Sequence, residues 1–264
     1  MAAVTSGVQT RSTQAGSQTL DRGLQVLEAV ARSADPVSVA EAATEVGIDR
    51  RVAHRLIETL VARGYLHREG IRGYRLGPTC LSLASAISDL RSLAQPYLEQ
   101  LAEQTGETAH LVVMSGRDVV FIAGIETQKA LRVGNRTGRL LPAHSTSVGK
   151  AWLAALSTVR VDHLLGTGAL LAVTDRTIID PAEFRAELDM IRARGYAASH
   201  GESEDGVGSV AMAVRDGGGE PRLAMSVAMP LNRFTDKAHD EAVAHLQNAV
   251  HALTPRLSEL ALGL

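Results

Sequence analysis

The fold of the amino-terminal part of the chain is decided by residues 48–64, which read IDRRVAHRLIETLVARG. Asp49 can cap the N-terminus of a helix, and Gly64 can end the same helix in the left-handed conformation. At 100° per residue, the apolar and the charged side chains of this helix fall on opposite sides. The apolar side holds Val52, Ala53, Leu56, Ile57 and Leu60, and the other side Arg50, Arg51, His54, Arg55 and Glu58. The sequence therefore predicts a helix of about four turns with a core face and a basic face.

Two further helices are predicted before it. The first is indicated by an apolar stripe behind the candidate cap Thr19. Its members are Leu20, Leu24, Leu27, Val30 and Ala31. Ser38 and Glu41 form a capping box that opens a second helix over Val39–Val46, and Gly47 turns the chain into the basic helix. Two helices joined by a short turn that contains glycine, the second amphipathic and basic, are typical of a helix-turn-helix.

A hairpin is predicted directly after the basic helix. The β-prone runs Tyr65–Arg68 and Gly73–Leu76 flank Glu69–Arg72, which places Arg68 and Arg72 near the tip. Taken alone, the hairpin can be a mere stabilising element and the basic helix a solvated surface helix. Because both occur together behind two helices, we predict a winged helix-turn-helix DNA-binding domain over residues 17–79, after a flexible tail of residues 1–16. The predicted DNA-contacting residues are Ser38, Arg50, Arg51, His54, Arg55, Arg68 and Arg72.

Composition limits what the rest of the chain can be. Its 264 residues, 45% of them hydrophobic, suffice for two domains with a core each. Cys80 is the single cysteine, so neither a disulfide framework nor a thiolate metal cluster is expected. The sequence has no signal-peptide core and no run of about eighteen apolar residues, so we expect a cytoplasmic protein without a membrane partner.

The charge of the chain is unevenly distributed. The formal net charge is −2, yet residues 17–79 carry nine arginines against eight acidic residues. Five of these arginines, Arg50, Arg51, Arg55, Arg68 and Arg72, fall with His54 on the basic helix and the hairpin, where they would meet phosphates. The small net charge of the head predicts modest non-specific DNA binding and reliance on dimerisation for affinity.

A linker helix is predicted after Pro78, which closes the head. Its apolar residues follow one another at alternating steps of three and four. They are Cys80, Leu83, Ile87, Leu90 and Ala94. Pro96 is expected to break this helix, and a second helical stripe is expected from Leu98 to Gly106. Two interpretations stay open: both helices pack on their own domain, or the seam contacts the partner in a dimer.

From residue 109 onward the sequence alternates in the manner of β-strands. The predicted strands are Ala109–Met114, Val119–Ile125, Ala130–Val133, Gly208–Val214 and Arg222–Met229. The predicted helices are Ala151–Leu156, Pro181–Arg194 behind an Asp180 cap, and a last one capped at Thr235. Strands in meander order with helices at both ends predict an α+β domain built on an antiparallel sheet.

Four loose motifs then stand in order along the chain. They are Gly64-Tyr65 with Tyr74-Arg75-Leu76-Gly77, Leu141-Pro142-Ala143-His144 followed by Gly149-Lys150, Arg194-Gly195-Tyr196 with Glu202 downstream, and the strand with Ser226 that ends at Pro230. In this order and spacing they resemble the IclR family of bacterial transcriptional regulators, from residue 17 to the C-terminus. The resemblance implies a winged helix-turn-helix head and, within residues 80–264, a linker helix and a GAF-like or profilin-like antiparallel-sheet effector-binding domain. It also implies dimers or dimers of dimers on operator DNA.

The resemblance further places an effector site between the loop before Gly149 and the strands of the sheet. Carried over position by position, the site residues are Ala130, Val133, Ser147, Ser199, Ser209, Ser226 and Ala228. Members that recognise small oxo-acids have Asp in place of Ser199, Cys in place of Ser209 and a second Ser in place of Ala228. Because hydroxyls carry no charge, we expect a neutral or partly apolar effector. The alternative is that these serines only satisfy local backbone groups.

The predicted function is a ligand-responsive DNA-binding transcriptional regulator, a repressor of a catabolic or metabolic operon. Its expected partners are operator double-stranded DNA, a small-molecule effector, and copies of the chain in a homodimer or tetramer. A small-molecule enzyme and an effector-independent DNA-binding protein with the same head are the alternatives. The sequence shows no nucleophile, base and acid set, and neither a P-loop nor zinc-ligand spacing, so we expect no catalytic residue, cofactor or metal.

Overall fold

The computed structural model describes residues 17–261, and of residues 84–88, 260 and 261 the backbone alone. The chain forms two compact units that divide between Ile87 and Ser88, inside a long helix. The domain boundary predicted at residues 79 and 80 falls earlier in the chain and stays a prediction. Within residues 17–261, no helix is long and apolar enough to span a membrane.

The first unit is a helix-turn-helix with a two-stranded wing. Its elements are α1 (Gln18–Arg32), α2 (Val39–Val46), α3 (Arg50–Ala62), β1 (Leu66–Glu69) and β2 (Gly73–Leu76). Ser38 and Glu41 cap α2 reciprocally, and the Asp49 carboxylate accepts a hydrogen bond from the Arg51 N–H at 2.7 Å. Gly64 follows α3 with φ +74°, in the left-handed region. The predicted start and end of the basic helix are therefore confirmed.

The prediction for α1 is wrong in two respects. Its cap is Ser17 and not Thr19, because the Ser17 hydroxyl accepts the hydrogen bond from the Leu20 N–H. Its buried side chains are Val26, Ala29 and Val30. Leu20 and Leu24, two members of the predicted stripe, are exposed. Two overlapping stripes with the same spacing exist in this helix, and the packing of the three helices selects between them.

The long helix α4 runs from Thr79 to Thr105 without a break, although Pro96 lies inside it. The predicted interruption at this proline is wrong. A proline removes one helical hydrogen bond and crowds the preceding turn, so packing must hold the helix together. Ala94 and Leu98, on either side of the proline, are fully buried in the core of the second unit. Gly106, with φ +63°, ends the helix where predicted.

The second unit is built on a six-stranded antiparallel sheet in the order β5-β4-β3-β8-β7-β6. The strands are β3 (Thr108–Ser115), β4 (Asp118–Ile125), β5 (Leu140–Pro142), β6 (Ala197–His200), β7 (Val207–Arg215) and β8 (Pro221–Pro230). The helices after α4 are α5 (Ser147–Ala154), α6 (Thr158–Leu165), α7 (Pro181–Arg194) and α8 (Asp236–Ala261). The α+β architecture with an antiparallel effector-domain sheet agrees with the prediction.

Several details of this unit differ from the prediction. Residues 130–133 are not a strand but part of an irregular loop, residues 126–139, between β4 and β5. Helix α6 and the edge strands β5 and β6 were not predicted. The two strands have only three and four residues, which leaves too little alternation to detect. The Asp180 cap and Pro181 at the start of α7 are confirmed, and Gly195 ends that helix with φ +85°.

The two faces of the sheet pack against different helices. One face packs against the carboxyl-terminal half of α4 and against α8, through residues such as Leu98, Met225 and Leu246. The other face packs against α5 and α7, through Val112, Leu153 and Leu188 among others. Small side chains from β6, β7 and β8 lie on this second face. The residues predicted for the effector site are among them.

Candidate DNA-reading face and effector site

The exposed side of α3 carries the residues predicted to read DNA. Arg50, Arg51, His54 and Arg55 are exposed, whereas Ala53 on the opposite side is fully buried. The guanidinium groups of Arg50, Arg51 and Arg55 form no hydrogen bond or ion pair with any other residue in the described range 17–261. Three unpaired cations in the first two turns of an exposed helix are available to phosphates or to base edges.

The two arginines predicted for the wing, Arg68 and Arg72, lie in different environments. Arg72 is exposed in the turn, next to the fully exposed Ile71. Arg68 instead contacts Tyr74: Nη2 donates to the Tyr74 hydroxyl at 2.7 Å, and the guanidinium carbon lies 5.4 Å from the ring centre. The Tyr74 hydroxyl in turn donates to Glu58 of α3 at 3.4 Å. Arg68 therefore also braces the hairpin against α3.

Ser38 already has a structural task. Its hydroxyl accepts from the Glu41 N–H at 3.3 Å, and its own N–H donates to the Glu41 carboxylate at 2.8 Å. The cap accounts for this serine without any DNA contact. Its predicted contact to DNA stays a prediction.

Three of the predicted effector residues form a row across neighbouring strands. The register pairs Ser199 with Ser209 and Ser209 with Ala228, so their side chains share one face of the sheet. Ser209 and Ser147, at the start of α5, share a hydrogen bond of 2.8 Å between their hydroxyl oxygens. Ser226 lies one row further along on the same face. The structure thus brings the four predicted serines together.

The two predicted wall residues behave differently from each other. Val133 is buried, and its carbonyl accepts from the Thr108 hydroxyl at 2.6 Å, which holds the loop of residues 126–139 over the sheet. Ala130 is exposed, and its carbonyl accepts from Arg132 at the surface. Because this segment is a loop and not a strand, Ala130 does not line the site in this structure.

Sequence reasoning missed two charged or polar side chains that lie at this site. His110, the register partner of Ser226, is fully buried, and neither ring nitrogen has a hydrogen-bond partner among the described residues. Burial, and then the nearby Arg136 charge, lower the pKa of His110 to about 4, while a contact with the Gly134 backbone, which falls outside hydrogen-bond geometry, partly opposes this shift. His110 is therefore a neutral imidazole at neutral pH.

Arg136 is the second missed residue, and only 6% of it is exposed. Its Nη2 donates to the Glu204 carboxylate at 2.7 Å, and its guanidinium carbon lies 5.9 Å from the ring centre of Phe121. The same Phe121 ring meets His110 edge to face at 5.2 Å. Burial lowers the pKa of Arg136, and Glu204 partly restores it. An arginine in a loop has no periodic signal, so sequence reasoning could not place it here.

Comparison with known proteins decides the family. The model described as "IclR helix-turn-helix domain" matches residues 19–70, and "Bacterial transcriptional regulator IclR C-terminal" matches residues 83–254. The chain belongs to the IclR family. This family consists of DNA-binding transcription regulators and not of enzymes, as predicted.

Relatives in the IclR family match this chain over most of its length. It is 31% identical to the transcriptional repressor IclR of Escherichia coli over 243 residues, 90% of this chain and 89% of that protein. It is 32% identical to the Pca regulon regulatory protein of Pseudomonas putida, over 82% of this chain and 75% of that protein. An IclR transcriptional regulator structure from Silicibacter sp. TM1040 has a TM-score of 0.79 at 29% identity, and covers 91% of this chain and 96% of that one.

In this IclR-family chain, the Gly149-Lys150 motif has a structural role, because it holds α5 against neighbouring segments. A Cβ at Gly149 would lie 2.1 Å from the Ala143 carbonyl oxygen, so only glycine fits there. The Lys150 ammonium is buried and lies 2.7 and 2.8 Å from the two Glu202 oxygens. Burial raises the pKa of Glu202, and the Lys150 charge opposes that rise. Lys150 thus ties α5 to the loop after β6.

Two surface cavities in the described part of the second unit lie away from the serines. One, of about 320 Å³, is lined by Trp152 and Arg160 among others, and one of about 530 Å³ lies beside α8 near His251. Neither contains a predicted effector residue. We place the candidate effector site at the serines because buried polar atoms converge there, whereas the two cavities open to the surface. No metal-binding cluster occurs among residues 17–261.

Proposed function

We propose that this IclR-family regulator is a ligand-responsive repressor of a catabolic or metabolic operon, and that it binds operator DNA as a homodimer or tetramer in the bacterial cytoplasm. The observation that carries the proposal is the exposed side of α3, with three unpaired arginines in its first two turns. The names of the relatives support repression and catabolism, since they include a transcriptional repressor and a regulator of the Pca regulon.

The exposure of the basic side of α3 supports the following mode of DNA binding. The N-terminal turns of α3 enter the major groove, where Arg51 and Arg55 reach base edges and Arg50 meets a phosphate. His54 lies between them on the same face. The turn of the wing, with Arg72, contacts the backbone beside the groove. The side chains of Ser38 and Arg68 already form hydrogen bonds within the head. We therefore expect them to contribute only at the edges of the DNA-binding surface.

The response to a ligand is proposed to start at the site between α5 and the sheet. Ser147, Ser209 and Ser226 surround the bound molecule, with Ser199, Ala228 and Val133 at its margins. Helix α4 belongs to both units and is the physical connection along which a change can pass. A coupling free energy of roughly 1–3 kcal/mol, typical of such systems, changes operator occupancy about 5–150-fold.

The DNA-reading surface is tested with single substitutions on α3. Arg51→Ala and Arg55→Ala are expected to weaken binding to an operator, selected from random duplexes, by about 5–150-fold, because each removes a base contact worth roughly 1–3 kcal/mol. The measurement is a gel-shift or anisotropy titration at fixed salt.

Arg63→Ala is the matched control, because Arg63 is also exposed but follows the C-terminal end of the same helix. It is expected to bind the operator like the unsubstituted protein. Equal operator affinity of Arg51→Ala, Arg55→Ala and Arg63→Ala would remove this surface from the interface.

A further inference from the structure

The cavity of about 320 Å³ in the second unit lies between the C-terminal end of α5, α6, and the turns that join β3 to β4 and β7 to β8. We propose that this cavity is a second ligand site, which takes an uncharged aromatic molecule. It is lined by none of the residues proposed for the effector, which lie at the other end of α5 around Ser147. The inference therefore does not depend on the proposed function.

The walls of the cavity are aromatic and aliphatic. Trp152, the single tryptophan of the chain, contributes an indole ring, Met114 a thioether, and Leu156 and Leu164 aliphatic side chains. A ligand ring can stack on the indole or meet its edge, and a thioether sulfur contacts the edge of an aromatic ring favourably. These side chains favour an aromatic ligand over an aliphatic one.

The tryptophan also has an unused donor. Only 9% of Trp152 is exposed, yet its indole N–H donates to no other residue among those that the structure describes. An indole N–H is a donor only, and in a side chain buried to this extent it usually has a partner. A carbonyl group on the ligand ring can accept this hydrogen bond.

The charges at the mouth of the cavity balance one another. Arg160 Nη1 lies 2.6 Å from a carboxylate oxygen of Glu220, and Arg222 Nε lies 3.4 Å from one of Asp216. An ion that enters an apolar cavity loses hydration, and here each charge at the mouth already has a partner of opposite sign. The balance favours a ligand without net charge.

Two arginines outside the lining hold the walls of the cavity together. Arg215 Nη1 donates to the Ala155 carbonyl at 3.2 Å and to the Gly219 carbonyl at 3.0 Å, which ties the end of α5 to the turn between β7 and β8. Arg117 donates to the Leu165 carbonyl and ties the turn between β3 and β4 to the end of α6. The cavity is thus preformed, so a ligand need not order its walls on binding.

Helix α5 connects this cavity with the proposed effector site. The helix begins at Ser147, Trp152 follows within the same eight residues, and all eight are buried. A ligand at Trp152 therefore contacts the same short helix that borders the proposed effector site.

The single tryptophan serves as the reporter in the test. The full chain labelled with fluorotryptophan gives one fluorine NMR resonance, which belongs to Trp152. Benzamide at millimolar concentration is expected to shift this resonance saturably. Benzoate and benzamidinium have nearly the same shape but carry a charge, so they are expected to bind about tenfold or more weakly. A resonance that benzamide does not shift saturably overturns the inference, as does a charged analogue that binds as tightly as benzamide.

Variants of α6 assign the binding to the cavity. Leu164→Phe fills the cavity and Leu164→Glu adds a charge to its wall, so each is expected to weaken benzamide binding about tenfold or more. Leu164→Phe stays apolar and covers the case in which Leu164→Glu does not fold. Val159→Glu is the matched control, because Val159 is 78% exposed on the same helix and lies outside the lining. Benzamide affinity that is unchanged in Leu164→Phe contradicts the proposal.

A variant of the serines excludes binding at the proposed effector site. Ser209→Leu is expected to bind benzamide like the unsubstituted protein, because Ser209 is not part of the cavity lining. Loss of benzamide binding in Ser209→Leu, together with normal binding in Leu164→Phe, would place the ligand at the serines and overturn the inference.

Size-exclusion chromatography with light scattering distinguishes a ligand site from a contact between copies of the chain. Leu164→Phe and Val159→Glu are expected to keep the mass of the unsubstituted assembly. A smaller assembly in Leu164→Phe alone would mean that a second copy covers the cavity, and this result also overturns the inference.

Discussion

Single buried polar residues in the second unit differ in how well they are satisfied. The Lys150 ammonium lies within hydrogen-bonding distance of both oxygens of Glu202, whereas His110 has no partner among residues 17–261 for either ring nitrogen. An unsatisfied buried donor or acceptor costs roughly 1–3 kcal/mol, which is large against a net stability of about 5–15 kcal/mol. Among the described residues, His110 alone has buried side-chain polar atoms that lack a hydrogen-bond partner.

The depressed pKa of His110 predicts a dependence of stability on pH. The folded-state pKa is about 4 and the reference value 6.5, so between these values the unfolded chain binds more protons than the folded one. The contribution of His110 to stability is complete above the higher value and is lost as the pH falls towards the lower, by up to about 1.4 kcal/mol per pH unit. His110→Asn should therefore lose less stability than the unsubstituted protein between about pH 7 and about pH 5, as measured by urea denaturation.

Part of the acid sensitivity will remain in that variant. Burial also lowers the pKa of His144 and of His200, and both shifts act in the same direction. His163→Asn is the control, since His163 is an exposed residue of α6, and it should reproduce the unsubstituted profile. A His110→Asn profile that matches this control would contradict the assignment.

The residues that could be predicted from the sequence are those whose role is local. Asp49, Ser38 and Gly64 act on the next one to four residues of backbone, so a short window of sequence contains their whole environment. Arg136 acts on residues that are distant in the chain, Phe121 and Glu204, through the path of an irregular loop. No spacing rule connects these positions, so the charge at the site escaped prediction.

At the scale of elements, amphipathic spacing predicted most of the helices, though not α6, and it did not always predict which side is buried. It was right for α3, where charged residues mark the exposed side. It was wrong for α1, where two apolar stripes overlap and tertiary packing chose between them. Pro96 likewise predicted a break in the linker helix, but α4 is continuous. The packing of its buried neighbours outweighs the one hydrogen bond that the proline removes.

The buried ion pair between Lys150 of α5 and Glu202 gives a prediction at the scale of elements. Lys150→Met leaves the buried Glu202 without its partner, and should lower the free energy of unfolding by roughly 3–5 kcal/mol. The double variant Lys150→Met with Glu202→Leu should recover most of this loss, because the uncompensated charge is gone. The measurement is urea denaturation of all four proteins of the double-mutant cycle.

A simple sum of the two single effects would show that the pair is not coupled. Arg160→Met is the matched control, because its ion pair with Glu220 is more than half exposed on both sides. Such a surface pair contributes little, so this variant should change stability by less than about 1 kcal/mol.

At the scale of the whole molecule, the order of the two units along the chain was predictable, because each carries its own motifs. The partner surface in the proposed oligomer was not, since self-association depends on apolar residues that a single chain leaves exposed. Leu83, a member of the predicted linker seam in the first half of α4, and Leu81, which lies outside that seam, are such residues. Their exposure is consistent with the interpretation that part of the linker seam contacts a second copy, whereas the buried second half of α4 packs on its own unit.

Dimeric binding predicts a dependence on operator spacing. Two heads joined in one dimer should meet half-sites whose centres lie about one helical turn apart, and insertion of roughly five base pairs turns one half-site to the opposite side of the duplex. Affinity in a gel-shift titration should fall about tenfold or more with this insertion, because the second head can no longer bind. Insertion of a full turn, roughly ten base pairs, is the control and should restore part of the affinity.

Affinity that is the same at every spacing would mean that each head binds alone. In that case the small net charge of the head must be compensated by stronger base contacts from α3.

The face of the sheet at the proposed effector site, which carries Ala211 and Ser226, has a consequence for how such a protein can diversify. Alternate residues of the same strands face opposite ways: Ala211 and Ser226 point to the site, while Val210 and Val227 between them pack in the other core. A substitution at a position on this face changes the shape offered to a metabolite without removing any atom from that core. In the proposed regulator, a new effector specificity would therefore need only single substitutions on this face of the sheet, while the core on the opposite face stays intact.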